Sequence, residues 1–559
     1  MVEHPYPWFA QYESGIAHEV SISEMDSLLD IFDEACSVYA DHTAFVGLGH
    51  EISYRELHEL AVTFAHALVS IGVQPGDRVA LMMPNILQYP VVLFGVLLAG
   101  GVVVNCNPLY TPRELAFQLQ DSGAETIVVL ANFANTVAQV MPDVSLRKVV
   151  VTEVGDLMGF RGHLINWVLK YIKRVVPSVS LAHKVSLHEF MHEGVQNPAP
   201  TLPRRQGGDL AFLQYTGGTT GFPKAAMLSH GNMVANLRQV SEWLKGVMRP
   251  GRECIVTALP LYHIFSLTAN CFTFLKLGAK NVLIPNPKDM PAFIKALRAQ
   301  PFTAITGVNT LFNGLLHQAE FRAMDFSQLK LALGGGMAVQ AEVSRRWQEL
   351  TGHPIVQAYG LTETSPGATM NPLHLEQFNG SIGLPIPSTE IVIRDEQGVT
   401  LETGQEGEIC IRGPQVMRGY WQKSEETQAV FYPDGFLRTG DWGRVDPEGF
   451  FYLLDRKKDM IKVSGFNVYP NEIEEVVAHH PGVLEVAALG VPDEHSGQAI
   501  KLFVVLKDPK VTEQDILNFC REQLTGYKIP RHIEFRTELP HSNVGKVLRR
   551  LLIPMASSG

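Results

Sequence analysis

Cysteine is scarce in this chain of 559 residues: Cys36, Cys106, Cys254, Cys271, Cys410 and Cys520 are the 6 present, and no two form a C-x-x-C pair. That excludes a disulfide framework and a zinc site of the usual spacing, and it suits a reducing cytoplasmic setting. Positive charge is also short. Lys and Arg total 46 against 57 Asp and Glu, a net charge of −11, which argues against nucleic acid as the main partner. No apolar segment of secretory-signal type follows Met-Val-Glu-His. The longest apolar run, 91–104, is too short to span a bilayer and is interrupted by Gly100-Gly101. A soluble protein is expected, with that run a buried helix turning into a buried strand. Repeats and low-complexity tracts are absent.

What is present describes a packed globular protein: 46% hydrophobic and 18% charged residues. The length exceeds what a single core fills, so at least two domains are expected. Ser53-Tyr-Arg-Glu56 is a capping box, continued at helical spacing by Leu57, Leu60, Ala61, Phe64 and Leu68. Short apolar strands are expected at 79–83, 126–130, 149–152, 254–258, 281–284, 303–306 and 329–333, with helices between them. That alternation implies an α/β protein with parallel sheets. After about residue 380 the texture turns Gly/Pro-rich and β-like. Beyond the charged stretch 455–459 a compact α+β pattern follows.

One run stands apart. Residues 160–184 carry Arg161, Lys170, Lys173, Arg174 and Lys184 with no acidic residue, interleaved with Leu164, Ile165, Trp167, Val168, Leu169, Tyr171 and Ile172. Two readings stay open for it: contact with anionic lipid at the inner membrane, or a solvated amphipathic surface helix.

The densest local signal is Thr216-Gly-Gly-Thr-Thr-Gly-Phe-Pro-Lys224. Glycines let backbone N–H groups approach a ligand, and threonine hydroxyls and an ammonium add donors and charge, a set suited to a nucleotide phosphate chain. It is not the P-loop of GTPases, since Lys224 follows Pro223 and precedes Ala225.

Seven segments in order, Tyr215 to Lys224, Leu259-Pro-Leu-Tyr-His-Ile-Phe265, Leu333-Gly-Gly-Gly-Met337, Gln357-Ala-Tyr-Gly-Leu-Thr-Glu-Thr364, Arg438-Thr-Gly-Asp441, Asp455-Arg-Lys-Lys-Asp-Met-Ile-Lys-Val-Ser-Gly465 and Pro540-His-Ser-Asn-Val-Gly-Lys546, resemble the adenylate-forming superfamily. That superfamily holds acyl-CoA synthetases, peptide-synthetase adenylation domains and beetle luciferases. Within it the chain is most similar to bacterial long-chain fatty acid–CoA ligases, through Val104-Asn-Cys-Asn-Pro-Leu-Tyr-Thr-Pro-Arg-Glu114 and Gly465-Phe-Asn-Val-Tyr-Pro-Asn-Glu-Ile-Glu474 as well. It departs from the family at Ala225, where glycine is usual, and in a short tail after Arg550.

The resemblance implies a large N-terminal domain, 1–457, of parallel α/β sheets plus a β-barrel-like subdomain, holding the ATP and acyl sites. A small mobile α+β domain, 458–559, follows a hinge near 455–459. It implies activation of a fatty acid as acyl-AMP with release of pyrophosphate, then transfer to coenzyme A. The first step sets a carboxylate against a polyphosphate, so cations and oriented donors are what the site needs. Thr216, Thr219, Thr220 and Lys224 would hold the β- and γ-phosphates. Glu363, with Thr219, would ligate Mg²⁺, and Thr362 would bond the α-phosphate. Gly334, Gly335, Gly336 and Tyr359 would form the adenine slot, with Asp441 and Arg456 at the ribose. Tyr215, Gly217, Gly218, Gly221, Gly360 and Lys462 complete the expected cofactor-binding set. His263 would gate the acyl group and Lys546 would offset charge in the first step. Lys458 would be the hinge residue, and Gly465 would line the coenzyme A tunnel.

A medium-chain or aryl-acid CoA ligase is the rival within the class; a non-catalytic fatty-acid binding or uptake module is the rival outside it. A homodimer is compatible with the resemblance. The stretch 307–312 and the strand end before Tyr359 are candidates for the acyl pocket.

Overall fold

The computed structural model describes residues 6–198, 201–216, 223–464, 466–493, 496–542 and 545–552. Two large sheets form the body. One has nine strands, and its middle six, Thr43–Gly47, Lys280–Leu283, Cys254–Thr257, Ala304–Gly307, Leu331–Gly334 and Ile355–Gly360, run parallel in that spatial order. Antiparallel strands finish both ends. The other has seven strands in the order Lys184–Ser186, Lys148–Thr152, Thr126–Leu130, Arg78–Met82, Val102–Asn105, Leu210–Tyr215 and Ala225–Ser229, antiparallel only in the last pair.

The apolar run at 91–104 explains how the two sheets are joined. Helix Gln88–Leu98 is buried on every side and feeds directly into strand Val102–Asn105. It lies in one core with Phe45 and Leu283 of the first sheet and Leu81 and Phe212 of the second. A helix apolar all round has no face for water, so it can only sit between layers. The capping box of Ser53 and Glu56 opens helix Tyr54–Ser70, as the sequence spacing implies.

The expected barrel-like segment is a four-stranded antiparallel sheet, Glu390–Arg394, Gly407–Arg412, Leu437–Val445 and Phe451–Arg456, tied to the nine-stranded sheet by a bridge from Phe451 to Gly383. Sheet membership then changes: Arg456 ends that sheet, and Ile461 begins a separate five-stranded one. This small lobe packs helices Pro470–Ala478 and Glu513–Gln523 on a core of Ile473, Val477, Leu502, Val504 and Ile516. Strand Val483–Asp493 runs on through Gly490 and Pro492, residues of low strand propensity, and pairs with Gly497–Leu506 with one register shift between Val483 and Glu485. Tertiary pairing overrides the local propensity there.

Candidate active site

Parallel strands present their carboxyl ends on one side, and ligands of open α/β sheets bind there. Both large sheets do so toward the same cavity, of about 1850 Å³. The nine-stranded sheet delivers His263 after strand Cys254–Thr257, Val308 to Thr310 after Ala304–Gly307, Gly335 and Gly336 after Leu331–Gly334, and Tyr359 to Glu363 from Ile355–Gly360. The seven-stranded sheet delivers Asn105 and Thr216. Lys546 enters from the small lobe.

The neck of the Gly/Thr-rich loop is fixed by sheet pairing. Tyr215 pairs with Ala225, and the Thr216 N–H donates to the Lys224 carbonyl at 2.9 Å. Gly217, Gly218, Thr219, Thr220 and Gly221 lie outside the described residues, as does Gly465. The phenol of Tyr215 donates to Asp121 at 2.7 Å, so its hydroxyl is engaged within the protein.

Asp441 anchors a group of three. The Tyr359 hydroxyl donates to one carboxylate oxygen at 2.7 Å, and Arg456 Nε stands 3.3 Å from the other. Each oxygen keeps a further lone pair for a ligand. Gly360 is needed for a different reason from its neighbours: a Cβ there would meet the Pro366 carbonyl oxygen at 1.8 Å. Gly336 has φ +78°, in the left-handed region that favours glycine. Gly335 and Gly336 line the cavity, whereas Gly334 packs against Val339 and Ile355 in the core.

Thr362 and Glu363 sit on a single turn, Thr362–Thr364, held by Met417 N–H donating to the Glu363 carbonyl at 2.7 Å. Burial raises the Glu363 carboxyl above its ordinary value, and a hydrogen bond from the Tyr420 hydroxyl at 2.8 Å works against that rise. The ring of the same tyrosine faces Lys224, whose Nζ is 5.1 Å from its centroid. Tyr420 therefore touches both the cation and the carboxylate of the site, and the sequence reading missed it. Its segment is strapped to strand Ala225–Ser229 through Ala226, by the bridge to Tyr420, and through Trp421 N–H donating to the Ala225 carbonyl at 2.9 Å. The signal available was Arg418-Gly-Tyr-Trp421, an aromatic pair after a glycine, but nothing local ties it to Glu363.

His263 Nδ1 accepts from the Phe265 N–H at 3.3 Å, and burial, helped by the charge of Lys546, pushes its pKa down to about 4. The ring is neutral at pH 7. Lys546 is pushed down to about 8, first by burial and then by the charge of Arg456, with Asp441 acting the other way. Its ammonium forms no hydrogen bond or ion pair among the described residues. Lys458 also lines the cavity, and burial lowers its pKa. Lys462 is exposed on strand Ile461–Val463, off the cavity lining.

Among the described residues the lobes meet through few polar contacts. Asn471 N–H donates to Asp455 at 2.9 Å, Tyr469 hydroxyl to Glu406 at 2.8 Å, and Thr310 hydroxyl to the Gly545 carbonyl at 3.4 Å. Arg549 completes the seam between Asp455 (3.5 Å) and Glu474 (2.7 Å).

This cavity, roomy enough for a nucleotide and a second substrate and with glycine-lined strand ends, has the architecture of an adenylate-forming enzyme. The family model for the AMP-binding enzyme matches residues 32–421, and that for the AMP-binding enzyme C-terminal domain matches 472–546. The chain belongs to the AMP-binding enzyme family. It is 53% identical to the long-chain-fatty-acid–CoA ligase of Escherichia coli O157:H7 over 98% of this chain and 97% of that one. Among solved structures it is similar to the anthranilate CoA ligase AuaEII in complex with anthranoyl-AMP, with TM-score 0.85, 25% identity and coverage of 95% and 97%. ATP-bound MatB from Rhodopseudomonas palustris has TM-score 0.81 and 28% identity, covering 94% and 98%.

Proposed function

We propose that the protein is an ATP-dependent long-chain fatty acid–CoA ligase that forms acyl-AMP and pyrophosphate, then passes the acyl group to coenzyme A. The observation that carries this is the Lys546 ammonium, unpaired among the described residues, in a cavity it shares with Glu363 and the group of Asp441, Tyr359 and Arg456. Lys546 is half-buried on the cavity wall, and a partly desolvated cation without a partner is costly unless an anion is to arrive beside it. Lys546 is then the group that offsets charge as the carboxylate attacks the α-phosphorus, and Lys224 and Arg456 extend the same electrostatic support.

The wall of the cavity beyond Phe265 supports a hydrocarbon tail. Val240, Ala269, Met370, Ile382 and Ile386 line it. The polar side chains among them are satisfied internally: Asn236 clasps both backbone groups of Gly367, and Thr268 donates to the Ser365 carbonyl. Among the described residues of that wall an aryl acid with polar substituents meets no idle donor, whereas methylenes do not need one. The 53%-identical relative points the same way.

The donor set also suits Mg²⁺. Glu363 offers one carboxylate on the cavity, and no group of three or more His, Cys, Asp or Glu that could hold a metal ion occurs among the described residues. That fits a hydrated cation bound mainly through phosphates. Glu363, with Thr219 beyond the described residues, would hold it; when bound it neutralises phosphate charge.

For the second step, the small lobe turns about Lys458, withdrawing Lys546 and bringing the segment around Gly465 to the acyl carbonyl for the coenzyme A thiol. The small number of polar contacts between the lobes, and the exposed position of Lys462 in the present orientation, support two orientations. We place the protein in the cytoplasm, on the strength of six buried free thiols.

ATP–pyrophosphate exchange across a series of carboxylic acids is the test. Exchange with palmitate and kcat/KM rising about fourfold per added methylene, to a plateau, is expected. Preference for short or aryl acids removes the long-chain assignment. Absence of exchange with every acid leaves only a binding module.

A further inference from the structure

We propose that helix Gly159–Trp167 and its continuation Val168–Ile172 form a docking surface for an anionic phospholipid bilayer. Phe160, Leu164, Trp167 and Tyr171 are spaced four, three and four residues apart, which puts them on one helical face. That face points outward: the four residues are 88%, 60%, 51% and 59% exposed. A surface helix ordinarily turns such a stripe to the core. Here the inward seat is taken. Gly162 packs so closely on Gly155 that a Cβ would meet its carbonyl oxygen at 1.8 Å. Asn166 accepts from the Gly155 N–H at 2.7 Å and donates to Asp156 at 3.0 Å. The helix is pinned with its apolar stripe in solvent, and Ile172 and Val175 extend it. Six of the sixteen exposed large hydrophobic residues among the described residues lie within 160–175.

Charge identifies the occupant. Arg161, Lys170, Lys173 and Arg174 are exposed around the stripe, and 160–184 has no acidic residue in a chain of net charge −11. The Lys170 ammonium lies 5.6 Å from the Tyr171 ring centroid, an arrangement in which the stem stays on apolar surface and the charge reaches a headgroup. A second copy would set like charges against each other across the same face. An anionic bilayer satisfies both the stripe and its basic border.

The position fits delivery of a membrane-dissolved substrate. Strand Lys148–Thr152, which leads into this segment, is parallel to Leu210–Tyr215, which leads into the phosphate loop, through three intervening parallel strands. Both leave the same rim of the sheet, four strand spacings or roughly 20 Å apart. That use rests on the long-chain ligase reading; the docking itself does not.

The test is co-sedimentation with vesicles of phosphatidylethanolamine and phosphatidylglycerol, against vesicles of phosphatidylcholine alone. The wild type is expected to bind the anionic vesicles preferentially. The pairs Phe160→Glu with Trp167→Glu and Lys170→Glu with Lys173→Glu should each lower the bound fraction by at least about tenfold. Pyrophosphate exchange with octanoate in vesicle-free buffer should stay unchanged, which also certifies the fold. Brominated acyl chains should quench wild-type fluorescence, and Trp167→Phe should lose that quenching while still binding. Equal binding by wild type and both paired variants overturns the proposal, as does no binding at all. So does a wild-type dimer that the Phe160→Glu with Trp167→Glu pair turns into a monomer. Charge-dependent binding without exchange on any fatty acid upholds the docking and removes the ligase reading.

Discussion

The side of the cavity proposed for the nucleotide and the contribution of the small lobe are built on opposite plans. Asp441, Tyr359, Arg456, Glu363 and Tyr420 are held by hydrogen bonds and an ion pair within the large lobe and would keep their places whether or not the small lobe were docked. Lys546 reaches the same cavity from a lobe that touches the rest through a few polar contacts, and its ammonium has no partner among the described residues. The groups proposed to bind nucleotide are fixed in advance; the group proposed for the first chemical step is brought in. A site arranged this way can hold nucleotide continuously while changing what faces the carbonyl.

The sharpest way to break that comparison is Lys546→Ala. Pyrophosphate exchange should fall by about 100- to 1000-fold, the scale for loss of one charge-stabilising donor. Conversion of supplied acyl-AMP to acyl-CoA should stay within a few-fold, and equal loss of both half-reactions would mean that the lysine serves the fold. Next in size, Lys458→Pro fixes φ at the proposed hinge, so overall turnover should drop by more than about tenfold while single-turnover adenylation persists. Unchanged turnover moves the hinge elsewhere.

Tyr420→Phe sharpens the large-lobe half. It keeps the ring facing Lys224 and removes the donor to Glu363, a bond to a charged group worth about 1.5–3 kcal/mol, so exchange should fall by about tenfold or more. Because that hydrogen bond holds the carboxyl down against burial, its loss should also move the acid limb of the exchange profile to higher pH. An unmoved limb would show that the hydroxyl does not act through Glu363. The smallest effect is titration of Lys546 itself. With its pKa at about 8, the charged form is lost as pH rises, so kcat/KM for adenylation should decline above about pH 8. The thioester half-reaction should lack that limb; if both share it, another group is titrating.

Legibility from sequence followed the range of the interaction. The alternation of buried strands and helices, the capping box at Ser53 and the change of texture after residue 380 are local patterns, and the family segments carry the expected chemistry in contiguous residues. Tyr420 was not legible because its carboxylate partner is 57 residues away. The triple glycine read as one slot; Gly335 and Gly336 do line the cavity, Gly336 with a left-handed φ, whereas Gly334 packs against Val339 and Ile355. The basic run 160–184 left two readings open because periodicity gives a helix its stripe without saying which side faces inward.

By itself the sequence determined the fold class, the Gly/Thr/Lys composition of the loop and the family, since glycine freedom, hydrophobic period and charge are properties of neighbouring residues. Tertiary structure alone decided that two sheets aim their strand ends at one cavity, that Lys546 enters it from the other lobe, and that an apolar helix face is left in water. Each of those is a contact, or a missing contact, between segments far apart in the chain, and its energy depends on burial and direction, which exist only once the layers have packed.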